Sequence, residues 1–452
     1  MRNVSAAKVL IVLAAVLVAA LLYVDFRRPA RGGAGKTVLE IMYFYGGFGV
    51  ESVEEAALRF EALHPDVKVD VWSSPRVAEK IRLRLLSGDP PDMIYPCWGL
   101  DMDRVIQAGL LYDLQPALDG PPYRGQGRWE DVFYPGILDL YRYDRRTYGI
   151  PFFYLTSVFW YNQALFEQHG WAPPATWQEF EALCGRIKAA GVAPIALQGR
   201  YMAYFGEVFM NLLDRAETPA FVDAAQRLEP GTLAEPAVVA CAGRVQDLFR
   251  KGYFQDGCLG MSHTEAQMEF FQGRAAMVWC GTWLPSEMQS VIPAGFRYAS
   301  FAMPVVEGGK GDPTRMPVRS EYFYVCERAR HRALAVEFLR FLCDPEIAGI
   351  FVRKRSALTG IRVANEQAPE NLKAVAQLLK QARSFRATEA HGNPYPSWNR
   401  VFESALTELV TRPTGAAEFE LTPQAFAEKL ERKAEELRRE KAAREAAKPA
   451  GG

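Results

Sequence analysis

None of the seven cysteines (Cys97, Cys184, Cys241, Cys258, Cys280, Cys326 and Cys343) stands in a Cys-x-x-Cys pair, and none has a histidine at zinc-ligand spacing. The usual zinc sites are therefore excluded, and no metal or cofactor is expected. An odd count leaves at least one thiol free in a monomer, and buried, unreactive cysteine is the reading we favour. Net charge is missing too: 53 Lys+Arg against 53 Asp+Glu leaves zero. Nothing in that balance calls for nucleic acid or an acidic surface as a partner. Only five histidines occur (His64, His169, His263, His331, His391), all in helix-end or loop contexts, and no Gly-x-Ser-x-Gly is present. A Ser-His-Asp hydrolase loses its signature. No Gly-x-x-x-x-Gly-Lys-Ser/Thr phosphate loop appears, and no internal repeat is visible.

What is present is ordinary globular composition. The chain has 452 residues, 49% hydrophobic and 23% charged. That is ample for a large core and suggests two or three domains. Aromatics reach 12%, which suits either a stacking site or a large core. Arg2 and Lys8 precede an apolar run from Val9 to Val24, broken by Asp25. A positive start followed by an apolar segment marks an exported chain. The run suits either an uncleaved anchor or a cleaved signal peptide. No cysteine precedes Cys97, so a lipid anchor through an N-terminal cysteine is excluded. Arg27 to Gly35 reads as a flexible tether, with the body starting near Thr37.

The body opens with alternating elements. Val38–Tyr43 reads as a strand, and Val50–Leu63 as a helix with Val53, Ala57, Phe60 and Leu63 inward. Val67, Val69 and Val71 alternate as a second strand. A helix from Val77 to Leu86 and a third strand ending at Tyr95 follow. Strand, helix, strand, helix, strand is the mark of a mostly parallel sheet, whose ligands gather beyond the strand C-termini. Those ends are Tyr43–Gly47 and Tyr95–Asp101.

Three blocks are more specific. Tyr148-Gly149-Ile150-Pro151 punctuates a reversal before one apolar strand, Phe152 to Tyr161, and Asn162 caps the helix after it. Pro173-Pro174-Ala175-Thr176-Trp177-Gln178-Glu179 holds Thr176 and Glu179 at capping-box spacing, which predicts a helix from Trp177. In Phe270-x-x-Gly273-x-Ala275-Ala276-Met277-x-x-x-Gly281-x-Trp283 a helix ends, a buried strand follows, and Gly281 turns the chain. Glu321–Cys326 reads as an aromatic strand. Ala333–Leu342 reads as a helix ending before Asp344-Pro345. Pro423–Arg444 reads as a charged helix capped by Thr422, with an apolar seam of Phe426, Leu430 and Leu437.

Taken in order, these blocks resemble the extracellular solute-binding proteins (family 1) of ABC importers, mostly sugar and oligosaccharide binders, over roughly residues 38 to 362. Leu85–Asp92 and Gly109–Leu114 also resemble that family. The resemblance implies an α/β fold of the two-lobed periplasmic-binding-protein type (type II), with a hinge and a ligand cleft between lobes. It implies chain crossings near Gly149, Met303 and Ala357. The expected division is 1–36 for the anchor or signal segment and tether, 37–149 with 304–357 for the first lobe, 150–303 with 358–421 for the second, and 422–452 for the charged helix and tail. The implied role is extracytoplasmic: a monomer binding a carbohydrate without turnover and delivering it to membrane permease subunits by hinge closure.

Sugars stack their C–H faces on rings and exchange hydrogen bonds through their hydroxyls. Rings stand at the expected mouth positions. Trp98 and Trp283 are the first stacking candidates, then Tyr45 and Tyr204, with Tyr43, Tyr154 and Trp398 also considered. The resemblance often turns the tryptophan at position 283 to the ligand. Asp101, Arg319 and Glu321 are the polar candidates. The family often has glycine or other small residues where Arg319-Ser320-Glu321 stands, so this departure points to a charged sugar or to an ion pair between lobes. Alternatives are a membrane-anchored sensor or scavenger of the same fold, and an exported glycosidase with two catalytic carboxylates. Polyamine, phosphate ester or iron are alternative ligands; iron binders of this architecture use clustered tyrosines and a histidine, and Tyr322 and Tyr324 are near each other but alternate with Phe323 and so share one strand face.

Overall fold

The computed structural model describes residues 35–446 apart from Trp98, residues 389–394, Pro396 and Thr414. The apolar run at 9–24 and Trp98 therefore lie outside the described residues. Among the described residues, no helix is long and apolar enough to cross a membrane.

Among the described residues ten strands form two sheets. The first contains β1 (Thr37–Phe44), β2 (Val67–Ser74), β3 (Met93–Tyr95), β4 (Gly149–Leu155), β9 (Arg315–Val325) and β10 (Ser384–Ala387). The second contains β5 (Ser157–Asn162), β6 (Ala193–Ala196), β7 (Ala275–Gly281) and β8 (Tyr298–Phe301). In the first sheet β1 runs parallel to β2 and β3, while β9 runs antiparallel to β3 and β4. The second has the order β6-β7-β5-β8.

Period-two alternation decides what each strand buries. On β5, Phe159 joins an apolar cluster with Phe180, Trp279, Leu212, Leu406 and Phe426. Trp160, one residue on, joins the opposite cluster, with Leu39, Ile41, Phe60, Ile94, Phe323 and Phe338. The second sheet is thus covered on both faces. Both helix starts expected from capping residues form: Asn162 accepts from the Leu165 amide, and Thr176 and Glu179 make a complete capping box.

Three expectations are corrected. The apolar run Phe152–Tyr161 is two strands in different sheets, not one. Thr156 parts them because its carbonyl accepts from the Thr282 amide at 3.0 Å, which ties the chain to the second sheet. The first crossing accordingly lies at Thr156, beyond Gly149, since β4 still pairs with β9. Leu63, expected inward, is 52% exposed at the end of the Glu51–Leu63 helix. The expected apolar seam of the Pro423–Ala446 helix forms. Phe426, Ala427, Leu430, Ala434 and Leu437 are buried in the second cluster, and the helix packs on Pro236–Arg250 and Trp398–Val410.

The crossing strand β9 is anchored at its start by buried charges. Arg315 pairs with Asp214 at 3.3 Å and with Asp223, and Arg386 of β10 takes the other Asp214 oxygen. At its far end, Tyr324 and Val325 pair with β3.

Candidate functional site, a ring-lined cleft between the sheets

Parallel register places Tyr43 of β1 beside Tyr95 of β3. Their rings stack 4.5 Å apart, tilted by 12°. The Tyr95 hydroxyl donates to Glu321 on β9, and the Cys97 thiol donates to the other Glu321 oxygen at 3.0 Å. Cys97 holds a left-handed backbone (φ 55°), a conformation that is costly for a side-chain-bearing residue and concentrates at functional sites. Burial, with the Glu321 charge adding to it, pushes both tyrosine hydroxyls well above their usual range, so both stay neutral. Arg319 stands two residues before Glu321, opposite Leu155 of β4.

Residues beside the second sheet supply the facing wall. Gly281 ends β7, and the Trp283 indole folds back over its α-carbon so closely that any Cβ there would collide with the ring. This is the physical reason for the Gly-x-Trp spacing. The Tyr204 ring lies 6.3 Å from Trp283 at 59°. Burial pushes the Tyr204 hydroxyl well up, with Cys280, Glu287 and Glu207 adding to the rise and Arg319 opposing it. Glu287 closes the short Leu284–Glu287 helix and accepts from the fully buried Gln267 amide at 2.8 Å.

A glycine-rich loop, Gly46-Gly47-Phe48-Gly49, bridges the walls, and Phe48 stacks on Phe153 at 4.5 Å. These groups enclose a cavity of about 180 Å³, lined also by Phe44, Leu155 and His263. It lies at the C-terminal ends of β1 and β3, where ligands of open α/β sheets gather. A second, more open hollow of about 480 Å³ lies near the N-terminal end of β1. Its carboxylates are committed: Glu40 pairs with Arg84, and Asp92 accepts from the Glu40 and His331 amides. No tyrosine, tryptophan or phenylalanine lines it. Among the described residues no group of three or more His, Cys, Asp or Glu could hold a metal ion.

Of the residues singled out in the sequence, Tyr43, Tyr204, Trp283, Arg319 and Glu321 meet on the cavity wall. Tyr45 is next to it in the chain but 45% exposed. Three others lie elsewhere. Tyr154 is fully buried in β4, and its hydroxyl donates to the Pro317 carbonyl at 3.4 Å. Asp101 caps the Met102–Gln107 helix, accepting from the Arg104 amide and pairing with its side chain at 3.0 Å. Trp398 opens the Trp398–Val410 helix and stacks on Phe402. Tyr95, Phe48, His263 and Glu287 were missed. Tyr95 was readable as the last residue of a third parallel strand, whereas nothing local marks Glu287 or His263.

A family model described as bacterial extracellular solute-binding protein matches residues 49–348. The chain is 23% identical over 337 residues to the diacetylchitobiose binding protein NgcE of Streptomyces coelicolor, covering 73% of this chain and 71% of that one. It is 23% identical over 378 residues to the galactooligosaccharide-binding protein of Bacillus subtilis, covering 81% and 82%. Among solved structures, apo RafE from Streptococcus pneumoniae superposes with a TM-score of 0.72 at 21% identity, covering 90% of this chain and 99% of that one. RafE in complex with raffinose gives 0.68 at 21%, covering 89% and 100%.

Proposed function

Because the chain belongs to the bacterial extracellular solute-binding protein family, we propose that it is the carbohydrate-binding component of an ABC importer, acting outside the cytoplasm. One observation carries this reading. Rings and polar groups from both lobes converge on a single cavity, with Tyr43, Tyr95 and Glu321 on one side and Tyr204, Trp283 and Glu287 on the other. Rings supply stacking for sugar C–H faces, and the carboxylates and Arg319 supply hydrogen bonds to hydroxyls. The names of relatives that bind diacetylchitobiose and galactooligosaccharides support the same ligand class.

In this reading β4, β9 and the 356–361 segment carry the hinge. A ligand touching both walls stabilises the closed shape, and that shape is what a membrane permease would recognise. The protein binds without turnover. The lobes divide at Thr156, within β9 and near Ala357, and an N-terminal segment tethers or exports the body.

Titration of the purified chain with a panel of mono- and oligosaccharides, followed by tryptophan fluorescence and melting temperature, tests the proposal. Saturable stabilisation without consumption of the sugar is expected. Hydrolysis of a panel sugar, or silence across the panel, would overturn it.

A further inference from the structure

The cleft has a charge pattern that narrows the ligand. Glu321 lies half-buried on the cavity wall, and both of its oxygens accept from neutral donors, the Tyr95 hydroxyl and the Cys97 thiol. Glu287 stands on the facing wall, and its carboxylate accepts from the neutral Gln267 amide. Among the described residues neither carboxylate is in an ion pair, whereas Glu40, Asp214 and Glu269 elsewhere in the fold are. Each carboxylate can accept further donors, because an ionised carboxylate offers about four lone-pair sites. Arg319 is the one arginine or lysine on the lining among the described residues. Two carboxylates against one guanidinium leave the lining with one acidic group in formal excess. The phenols add no charge, being held neutral by burial.

Enclosure by rings makes this excess matter. Tyr43 and Tyr95 are almost wholly buried, Phe48 is 7% exposed, and closure of the lobes removes water that would otherwise screen Glu321. A ligand entering such a site is favoured when it brings the missing positive charge and opposed when it brings a second negative one.

Resting on the carbohydrate reading above, we propose that the cleft selects a sugar bearing a basic amine, gripped by Glu321 and Glu287, over its neutral and acidic counterparts. Charge-assisted hydrogen bonds are about twice as strong as neutral ones. An amine replacing a hydroxyl at the gripped position is therefore expected to bind about tenfold more tightly at low salt. The preference narrows as salt rises, since Glu287 is exposed.

The test uses the full chain and matched gluco- and galacto-configured sugars, mono- and disaccharide, differing only in hydroxyl, amine or carboxylate. Calorimetry at two salt concentrations gives the three affinities. The expected order is amine, then hydroxyl, then carboxylate. Glu321→Gln and Glu287→Gln should each weaken the amine sugar more than the hydroxyl sugar, cutting the amine-to-hydroxyl ratio at least about threefold, since the amide keeps an acceptor for a hydroxyl but loses the charge. That second affinity separates loss of the charge from loss of the fold. Equal or weaker binding of the amine, or tightest binding of the carboxylate, overturns this inference and leaves the carbohydrate reading standing. Failure of every sugar to bind removes both.

Discussion

Gly47, in the loop after β1, approaches Trp283, just after β7, so closely that a methyl group on it would lie 3.8 Å from the tryptophan Cβ, and equally far from the Glu287 Cβ. That is ordinary contact, so alanine fits but nothing longer does without entering the cavity or parting the walls. Gly47→Ala should therefore bind ligand nearly as the parent does. Gly47→Leu should weaken binding at least about tenfold while melting temperature without ligand stays within a few degrees. Calorimetry beside thermal melting checks both; unchanged affinity in the leucine variant would show that the two walls do not close on the ligand.

Gly281→Ala tests the opposite wall. Its Cβ must displace the Trp283 ring, so the stacking platform moves although the indole is retained. Stacked rings contribute about 0.5–1.5 kcal/mol beyond their buried area, and the expected loss of affinity is about three- to tenfold. Trp283→Ala should lose at least as much. Intrinsic fluorescence of the glycine variant should shift toward that of an exposed indole. Ligand affinity that survives both changes would place the sugar elsewhere.

Asp101 and Tyr154 give the contrasting case. Asp101→Ala removes a helix cap and should cost about 0.5–2 kcal/mol of stability. Tyr154→Phe removes one buried hydroxyl and should cost about 1 kcal/mol. Neither should change ligand affinity more than about twofold. Denaturant melts and calorimetry on the same preparations decide it; a tenfold affinity loss in either variant would return that residue to the site.

Glu431 makes part of the stability acid-sensitive. Burial pushes its carboxyl up, but the Arg438 guanidinium and the Gly231 and Leu233 amides outweigh that, so its pKa lies below the ordinary glutamate value. A depressed folded pKa contributes stability that is complete above the unfolded value of about 4.3 and is lost as pH falls through the folded one. Glu431→Gln should thus melt lower than the parent at pH 7, with the difference closing below about pH 4. A constant difference across that range would contradict the assignment.

The parts of this protein that were legible in the chain are those with local causes. Capping residues fixed helix starts at Gln163 and Trp177, glycine and proline marked the turns, and alternating valines marked β2. The Gly281-x-Trp283 spacing put a turn and a ring just after a strand, and the structure supplies the steric reason for the glycine. Strand pairing was not legible. Phe152 to Tyr161 is apolar throughout, and a run buried on both faces carries no period that tells which neighbour each half pairs with. The change of sheet at Thr156 is decided by Thr282, 126 residues away. Asp101 and Glu321 are both acidic residues, yet one caps its own helix while the other meets Tyr95 across 226 positions of chain. The sequence by itself determined the elements and most of the rings available to a ligand. Only the tertiary structure decided which of them face one cavity, because that depends on register and lobe closure, which no local pattern encodes.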